Sequence, residues 1–242
     1  MNGWRARIGV IVPSSNTTVE PEFSRTLPPG VSVHAARMAL EGVTAETLDS
    51  MAEDTERCAE LLGHAAVDAI AYACTTGSLV HGRGFDAELE ERIERTAGCP
   101  ARATALSVGR ALRALDCNSV VLVTPYVPDL IEREVEYLES HDIEVLAADG
   151  REIEANTEIG RLGPEDAYRQ VRRAVERLDE DERRAADAVF VSCTNYRTFP
   201  AIVPLERDFG LPVVTSNAAT LWDVLRVVGV DPEGPGELFA RA

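Results

Sequence analysis

The feature that most constrains this chain is that it nearly repeats itself. Val67-Asp-Ala-Ile-Ala-Tyr-Ala-Cys74-Thr75 lines up with Ala186-Asp-Ala-Val-Phe-Val-Ser-Cys193-Thr194, an offset of 119 residues from 74 to 193. Arg7-Ile-Gly-Val-Ile-Val-Pro13 lines up with Ser119-Val-Val-Leu-Val-Thr-Pro125, an offset of 112 from 13 to 125. Cys99-Pro100, followed by a helical pattern from about Ala103, matches Leu211-Pro212, followed by one from about Asn217. Three matches in the same order imply two structurally similar halves. The repeated runs are short, apolar and closed by turn residues, as strands buried on both faces must be.

Between these runs the hydrophobic period changes from strand to helix. Strands are expected over 7–12, 31–37, 68–73, 119–124, 143–147 and 188–192. A helical stretch ends near Leu27. Thr44 reads as an N-cap, with Leu48, Met51, Thr55, Cys58 and Leu62 on one helix face. A further helix spans 129–140, and Pro164 opens another with Glu165 and Asp166 in its first turn, as the helix dipole favours. This βαβα alternation predicts an α/β fold with parallel sheets covered by helices on both faces. The 242 residues, 45% of them hydrophobic, suffice for one large domain or two small lobes. Two doubly wound halves present their strand-end loops at the carboxyl edges of their sheets, where such folds bind ligands. Facing one another, they bring Cys74 and Cys193 to opposite sides of one site.

Composition removes several chemistries. All 24 basic residues are arginine, so a Schiff base or a lysine-held pyridoxal cofactor is excluded. The net charge of −17 disfavours nucleic acid as a partner, and it suits either a high-salt cytosol or a GC-rich genome. The apolar run Ile8 to Val12 is too short for a signal peptide or a membrane span, so a cytoplasmic protein with no membrane partner is expected. Five cysteines, an odd number without CxxC spacing, read poorly as disulfides or as a zinc site. The four histidines (34, 64, 81 and 141) lack metal-ligand spacing, so no metal is expected. Without a GxGxxG or Walker pattern, no nucleotide cofactor is expected either.

A free cysteine is usually a small buried hydrophobe. Cys58 belongs to its helix's apolar face, and Cys99 and Cys117 sit in connections without polar neighbours; all three read as structural. Cys74 and Cys193 differ, because each follows an apolar strand, precedes Thr and holds the same place in the repeat. A loop entering a helix N-terminus supplies N–H groups and a positive dipole end, which would lower the thiol pKa. These two are the candidate catalytic residues. The polar loop Pro13-Ser14-Ser15-Asn16-Thr17-Thr18 reads as a helix cap, with Ser15 or Asn16 capping, and equally as a carboxylate site. Thr75, Thr76 and Ser78, and Thr194 with Asn195, offer the same chemistry. Tyr126 could donate into the site or pack at the lobe interface, and Asn156, in the irregular polar stretch 150–163, reads as surface on position alone.

Taken together, Pro13-Ser-Ser-Asn-Thr-Thr18, Tyr72-Ala-Cys-Thr-Thr-Gly-Ser78, Thr124-Pro-Tyr126, Ser192-Cys-Thr-Asn195 and Ser216-Asn217 resemble the maleate cis-trans isomerases of the aspartate/glutamate racemase superfamily. The resemblance implies two Rossmann-like lobes related by a pseudo-two-fold, with the active site between them. The division that follows assigns residues 1–100 and 217–242 to the N-terminal lobe and 101–216 to the C-terminal lobe. It implies a cofactor-independent isomerase in which Cys74 adds to an olefinic carbon of maleate and Cys193 serves as acid/base. Asn16, Tyr126 and Asn156 would hold the substrate carboxylates, with Ser15, Thr75, Thr76, Thr194 and Asn195 around them. A two-cysteine racemase of an amino acid or hydantoin is the alternative, although Ser-Ser-Asn offers no acid to hold an ammonium group. A non-catalytic dicarboxylate binder is another. A homodimer is the default assembly.

Overall fold

The computed structural model describes residues 3–40, 45–77 and 84–241. The expected cap Thr44, the motif residue Ser78 and His81 lie outside them, as do the side chains of Leu48 and Met51. In chain order the elements are β1 (Ala6–Pro13), α1 (Val19–Thr26), β2 (Val31–Met38), α2 (Ala45–His64), β3 (Ala69–Tyr72), α3 (Phe85–Ala97), β4 (Ala101–Ala103) and α4 (Thr104–Ala114). The second half continues with β5 (Ser119–Val123), α5 (Pro128–Ser140), β6 (Glu144–Asp149), α6 (Asn156–Ile159), α7 (Pro164–Arg177), α8 (Glu180–Ala185), β7 (Ala188–Val191), α9 (Phe199–Phe209), β8 (Val213–Thr215), α10 (Ser216–Val227) and α11 (Glu237–Ala240).

Two four-stranded sheets result, ordered β2-β1-β3-β4 and β6-β5-β7-β8, and every pairing is parallel. The identical order is the structural form of the sequence repeat, with β1 matching β5 and β3 matching β7. Central strands β3, β5 and β7 are buried along their whole length, whereas β2 is only partly buried, as an edge strand is. In each sheet the strand order reverses between the first and third strands of the half, which is where a doubly wound fold leaves its ligand crevice.

The lobes exchange helices. Helix α4 leaves β4 of the first sheet and packs near β8 of the second, while α10 leaves β8 and packs on β3 and β4. Helix α10 is buried from Ser216 to Leu225 and lies against α4, and its buried polar residues Ser216, Asn217, Thr220 and Asp223 all have hydrogen-bond partners. At this seam Arg110 binds Glu90 through both nitrogens and also reaches Asp223 at 2.9 Å. One apolar cluster runs through both lobes, from Ile8, Val10 and Ala71 to Val121, Phe190 and Leu221.

Two expectations change. The first sheet takes in Ala101–Ala103 through pairing with β3, so it runs past the division drawn after residue 100. The stretch 150–163 is not wholly irregular, because Asn156–Ile159 forms a helical turn that seats Asn156 beside Ser15. Cys58 lies in the core as expected, fully buried in α2. No helix among the described residues is long and apolar enough to cross a membrane.

Candidate active site

The site is assembled from the carboxyl ends of β1, β3, β5 and β7. After β1, Asn16 closes a turn: its Oδ1 accepts from the Thr18 and Val19 N–H groups at 2.9 and 3.1 Å, satisfying donors at the start of α1. The Arg37 guanidinium donates to the Ser14 and Asn16 carbonyls at 3.1 and 2.8 Å and so holds the loop from behind. Asn16 Nδ2 then donates across the lobes to Thr194 Oγ1 at 3.1 Å.

Cys74 follows β3, and the two-residue strand period places Tyr72 and Cys74 on one face. The Tyr72 hydroxyl and the N–H groups of Thr76 and Gly77 bond to the Cys74 sulfur, and Thr76 Oγ1 lies 3.6 Å from it. Cys193 follows β7 and has the matching set: the Tyr126 hydroxyl and the N–H of Asn195, which, like Thr76, stands two residues after its cysteine. Each half therefore gives its thiol a phenol and a main-chain donor. The two sulfurs are close enough for the charge of one to act on the other.

Burial decides the resting ionisation. It pushes the Cys74 thiol up, against the opposing pull of its donors, and it pushes Cys193 up to about 12. The expectation that the strand-end loops lower the thiol pKa is thus overturned for both residues, since desolvation outweighs the donors. Cys193 also departs from the expected helix entry, because α9 begins only at Phe199. It sits instead in a turn with φ at +103°, a backbone position costly for any side chain. The Cys193 N–H donates to Ser216 Oγ at 3.1 Å, and that hydroxyl meets Thr75 Oγ1 at 3.2 Å. The loops bearing the two cysteines are thereby tied to the start of α10.

The amide candidates divide into two kinds. Asn195 is consumed by the architecture: its Oδ1 accepts from Thr17 N and Thr18 Oγ1, and its Nδ2 donates to the Asn156 carbonyl at 2.7 Å. It acts as a clamp across three loops. Asn156 is half-buried and donates to Ser15 Oγ at 2.7 Å, so these two candidates stand together. Thr194 Oγ1 accepts from Asn16 and donates to the Ala73 carbonyl beside Cys74. Tyr126 is buried, with its phenol against Cys193.

Several residues here were not singled out from sequence. Tyr72 was legible through its i, i+2 relation to Cys74. Glu22 and Glu134 were legible as carboxylates on apolar helix stripes, between Val19 and Phe23 and between Leu130 and Leu138 respectively. Glu22 accepts from the Thr198 and Phe199 N–H groups at 2.8 and 3.0 Å and from Asn217 Nδ2 at 2.7 Å. An acid of the first lobe thus caps α9 of the second. Burial lifts its pKa to about 7. Among the described residues there is no cluster of three or more His, Cys, Asp or Glu placed to hold a metal.

Fold and site define a two-lobed, doubly wound α/β protein that presents one strand-end thiol from each lobe at a shared seam. A family model described as arylmalonate decarboxylase matches residues 8–239, and the chain belongs to that family. It is 36% identical over 240 residues to a maleate isomerase of Nocardia farcinica, covering 95% of this chain and 93% of that one. Among solved structures it superposes with a TM-score of 0.89 on a maleate-bound variant of the maleate isomerase from Pseudomonas putida S16, at 28% identity and 98% coverage of both chains. A Cys-to-Ser variant of the Nocardia farcinica maleate cis-trans isomerase, carrying a covalently bound succinylcysteine intermediate, matches with a TM-score of 0.87, 32% identity and coverage of 98% of this chain and 99% of that one.

Proposed function

We propose that this chain interconverts maleate and fumarate by reversible addition of the Cys74 thiolate, with Cys193 moving the proton. The observation that carries the reading is the matched pair of thiols, one from each lobe, each with its own phenol and main-chain donor. The Nocardia farcinica relative supports it: a succinylcysteine persists there although a cysteine has been replaced by serine, so one thiol suffices to hold that adduct.

Maleate cannot rotate about its double bond, so that bond must become single for a time. In the reacting form the two thiols hold one proton between them. The Cys74 thiolate bonds to one olefinic carbon, the π pair moves to the other carbon, and that carbon takes the proton from Cys193. The product is a succinyl thioether facing a Cys193 thiolate. After rotation about the new single bond, Cys193 removes a proton from the same carbon. The C–S bond breaks, the double bond reforms trans, and Cys74 leaves as the thiolate. Charge developing next to a carboxylate is met by neutral donors held in place beforehand, namely Tyr126, the remaining Asn16 N–H, and the hydroxyls of Ser15 and Thr76. Asn156 supports this set through Ser15. Because burial holds both thiols protonated at rest, one proton must leave before the first step, so activity rises with pH.

The decisive experiment is proton NMR of purified protein with maleate, in which the fumarate vinyl signal should grow. No fumarate at any salt concentration, with racemisation of aspartate or a hydantoin instead, would overturn the reading. We further expect a cytoplasmic homodimer, supported by the lack of a long apolar helix among the described residues and by the prevalence of two-fold assemblies.

A further inference from the structure

A serine at the start of a helix commonly caps it. Ser216, the first residue of α10, does not: the cap is Thr215, whose Oγ1 accepts from the Ala218 N–H at 3.1 Å. The Ser216 side chain is fully buried and turns to the two cysteine loops instead. Its Oγ accepts from the Cys193 N–H at 3.1 Å and lies 3.2 Å from Thr75 Oγ1, the residue after Cys74. Its backbone is anchored too, since Thr220 Oγ1 donates to the Ser216 carbonyl at 2.7 Å and meets Thr104 Oγ1 at 2.9 Å. The sequence repeat supplies a counterpart. At the 112-residue offset Ser216 matches Thr104, the first residue of α4, and Thr104 Oγ1 donates to the Tyr72 carbonyl at 3.0 Å, two residues short of Cys74. Each of these helices thus begins with a hydroxyl bonded to the cysteine segment of its own lobe, but Ser216 alone of the two bonds the cysteine itself.

The backbones of the two cysteines differ to match. Cys193 stands at φ +103°, and Cys74 does not share that turn. Such a conformation persists only where its surroundings over-determine it. Here the Cys193 carbonyl accepts from the Tyr196 N–H at 3.1 Å, and Ser216 takes the Cys193 N–H on the other side. We infer that Ser216 is a positioning residue for the isomerisation: it holds the strained turn that places the Cys193 sulfur, and through Thr75 it ties that turn to the loop of Cys74. Without the hydroxyl, the Cys193 N–H is left buried without its acceptor and the turn is free to relax. Cys74 keeps the donors of its own loop, Thr76 and Gly77. The proton carrier is therefore displaced while the nucleophile stays.

The two tasks of Cys193 are unequal. The carbanion formed by thiolate addition takes a proton from any acid at hand, water included, whereas the weakly acidic C–H of the succinyl thioether yields only to a base already in place. A displaced Cys193 slows exit from the adduct more than entry into it. The test is Ser216→Ala, with Ser216→Gly read the same way should the alanine variant fail to fold. Turnover of maleate, as kcat, should fall by about tenfold or more, while quenched intact mass spectrometry should find the fraction of enzyme carrying the succinyl adduct raised by about threefold or more over wild type. Merely structural damage lowers turnover and adduct together. A kcat within about twofold of wild type, or a loss of turnover without a rise in adduct, overturns the inference. The role rests on the isomerase reading, and the two fail separately. A wild type that makes no fumarate refutes the isomerase, whereas a working wild type with either of those variant results refutes only Ser216.

Discussion

Replacing Glu22 by glutamine probes how the two lobes are fastened, and it does so through stability. The wild-type carboxyl is buried against Thr198, Phe199 and Asn217, with its pKa raised from 4.5 to about 7. An acid whose folded pKa lies above its unfolded one contributes stability that is intact below the unfolded value and is lost as pH rises through the folded value. A shift from 4.5 to about 7, at 1.36 kcal/mol per pKa unit, corresponds to about 3 kcal/mol. About 2.5 kcal/mol of that falls between about pH 5 and pH 8.5. Glutamine does not titrate and is spared this loss. It pays instead through its amide N–H groups, which face the Asn217 donor and should cost about 1–3 kcal/mol at any pH. Urea unfolding of both proteins at the two pH values separates these effects, because the misfit cancels when the difference at one pH is subtracted from that at the other. The expected result is that Glu22→Gln gains about 2.5 kcal/mol on the wild type between the lower and the higher pH. A double difference within about 0.5 kcal/mol of zero, or one of opposite sign, would refute the assignment of Glu22 as a buried acid that ionises reluctantly.

Two other substitutions test the site directly. Intact mass spectrometry after incubation with maleate should find a succinyl adduct on Cys193→Ser and none on Cys74→Ala; an adduct persisting in Cys74→Ala would reverse the roles of the two thiols. At Gly160 an added Cβ would lie 2.7 Å from Thr17 Oγ1 and 3.0 Å from Asn195 Nδ2. Gly160→Ala should therefore disturb the Asn195 clamp, lowering kcat/KM by about tenfold or more and stability by about 1–3 kcal/mol. Unchanged kinetics and an unchanged Tm would mean that the clamp is not needed.

The architecture was legible because both halves carry the same apolar strands closed by the same turn residues. Central strands β1, β3, β5 and β7 fall within a residue or two of where the apolar runs place them, since burial on both faces leaves an unbroken signal. Three-residue strands β4 and β8 are too short to leave one, and this is why the division after residue 100 cut β4 from its sheet. The thiol pair was legible by its place in the repeat. Its electrostatics were not, because the desolvation that raises both thiols depends on packing from four elements distant in sequence. Asn195 shows the same limit. Sequence offers an amide beside a candidate catalytic cysteine, but only the fold reveals that Thr17, Thr18 and Asn156 already occupy it.

That fastening has a consequence for how substrate enters. The loop bearing Cys193 is held chiefly by the opposite lobe, through Asn16 to Thr194, Thr17 and Thr18 to Asn195, and Glu22 to Thr198 and Phe199. Swinging the lobes apart would break these buried bonds together and strand their polar groups, at about 1–3 kcal/mol for each group left unpaired. A hinge-opening cycle is thus the costly route, and traffic in and out falls to small displacements of the strand-end loops. Such movements belong to the nanosecond-to-microsecond range rather than that of domain closure. Fumarate release should then be fast compared with proton transfer between carbon and sulfur, leaving the chemistry as the step that sets the turnover rate.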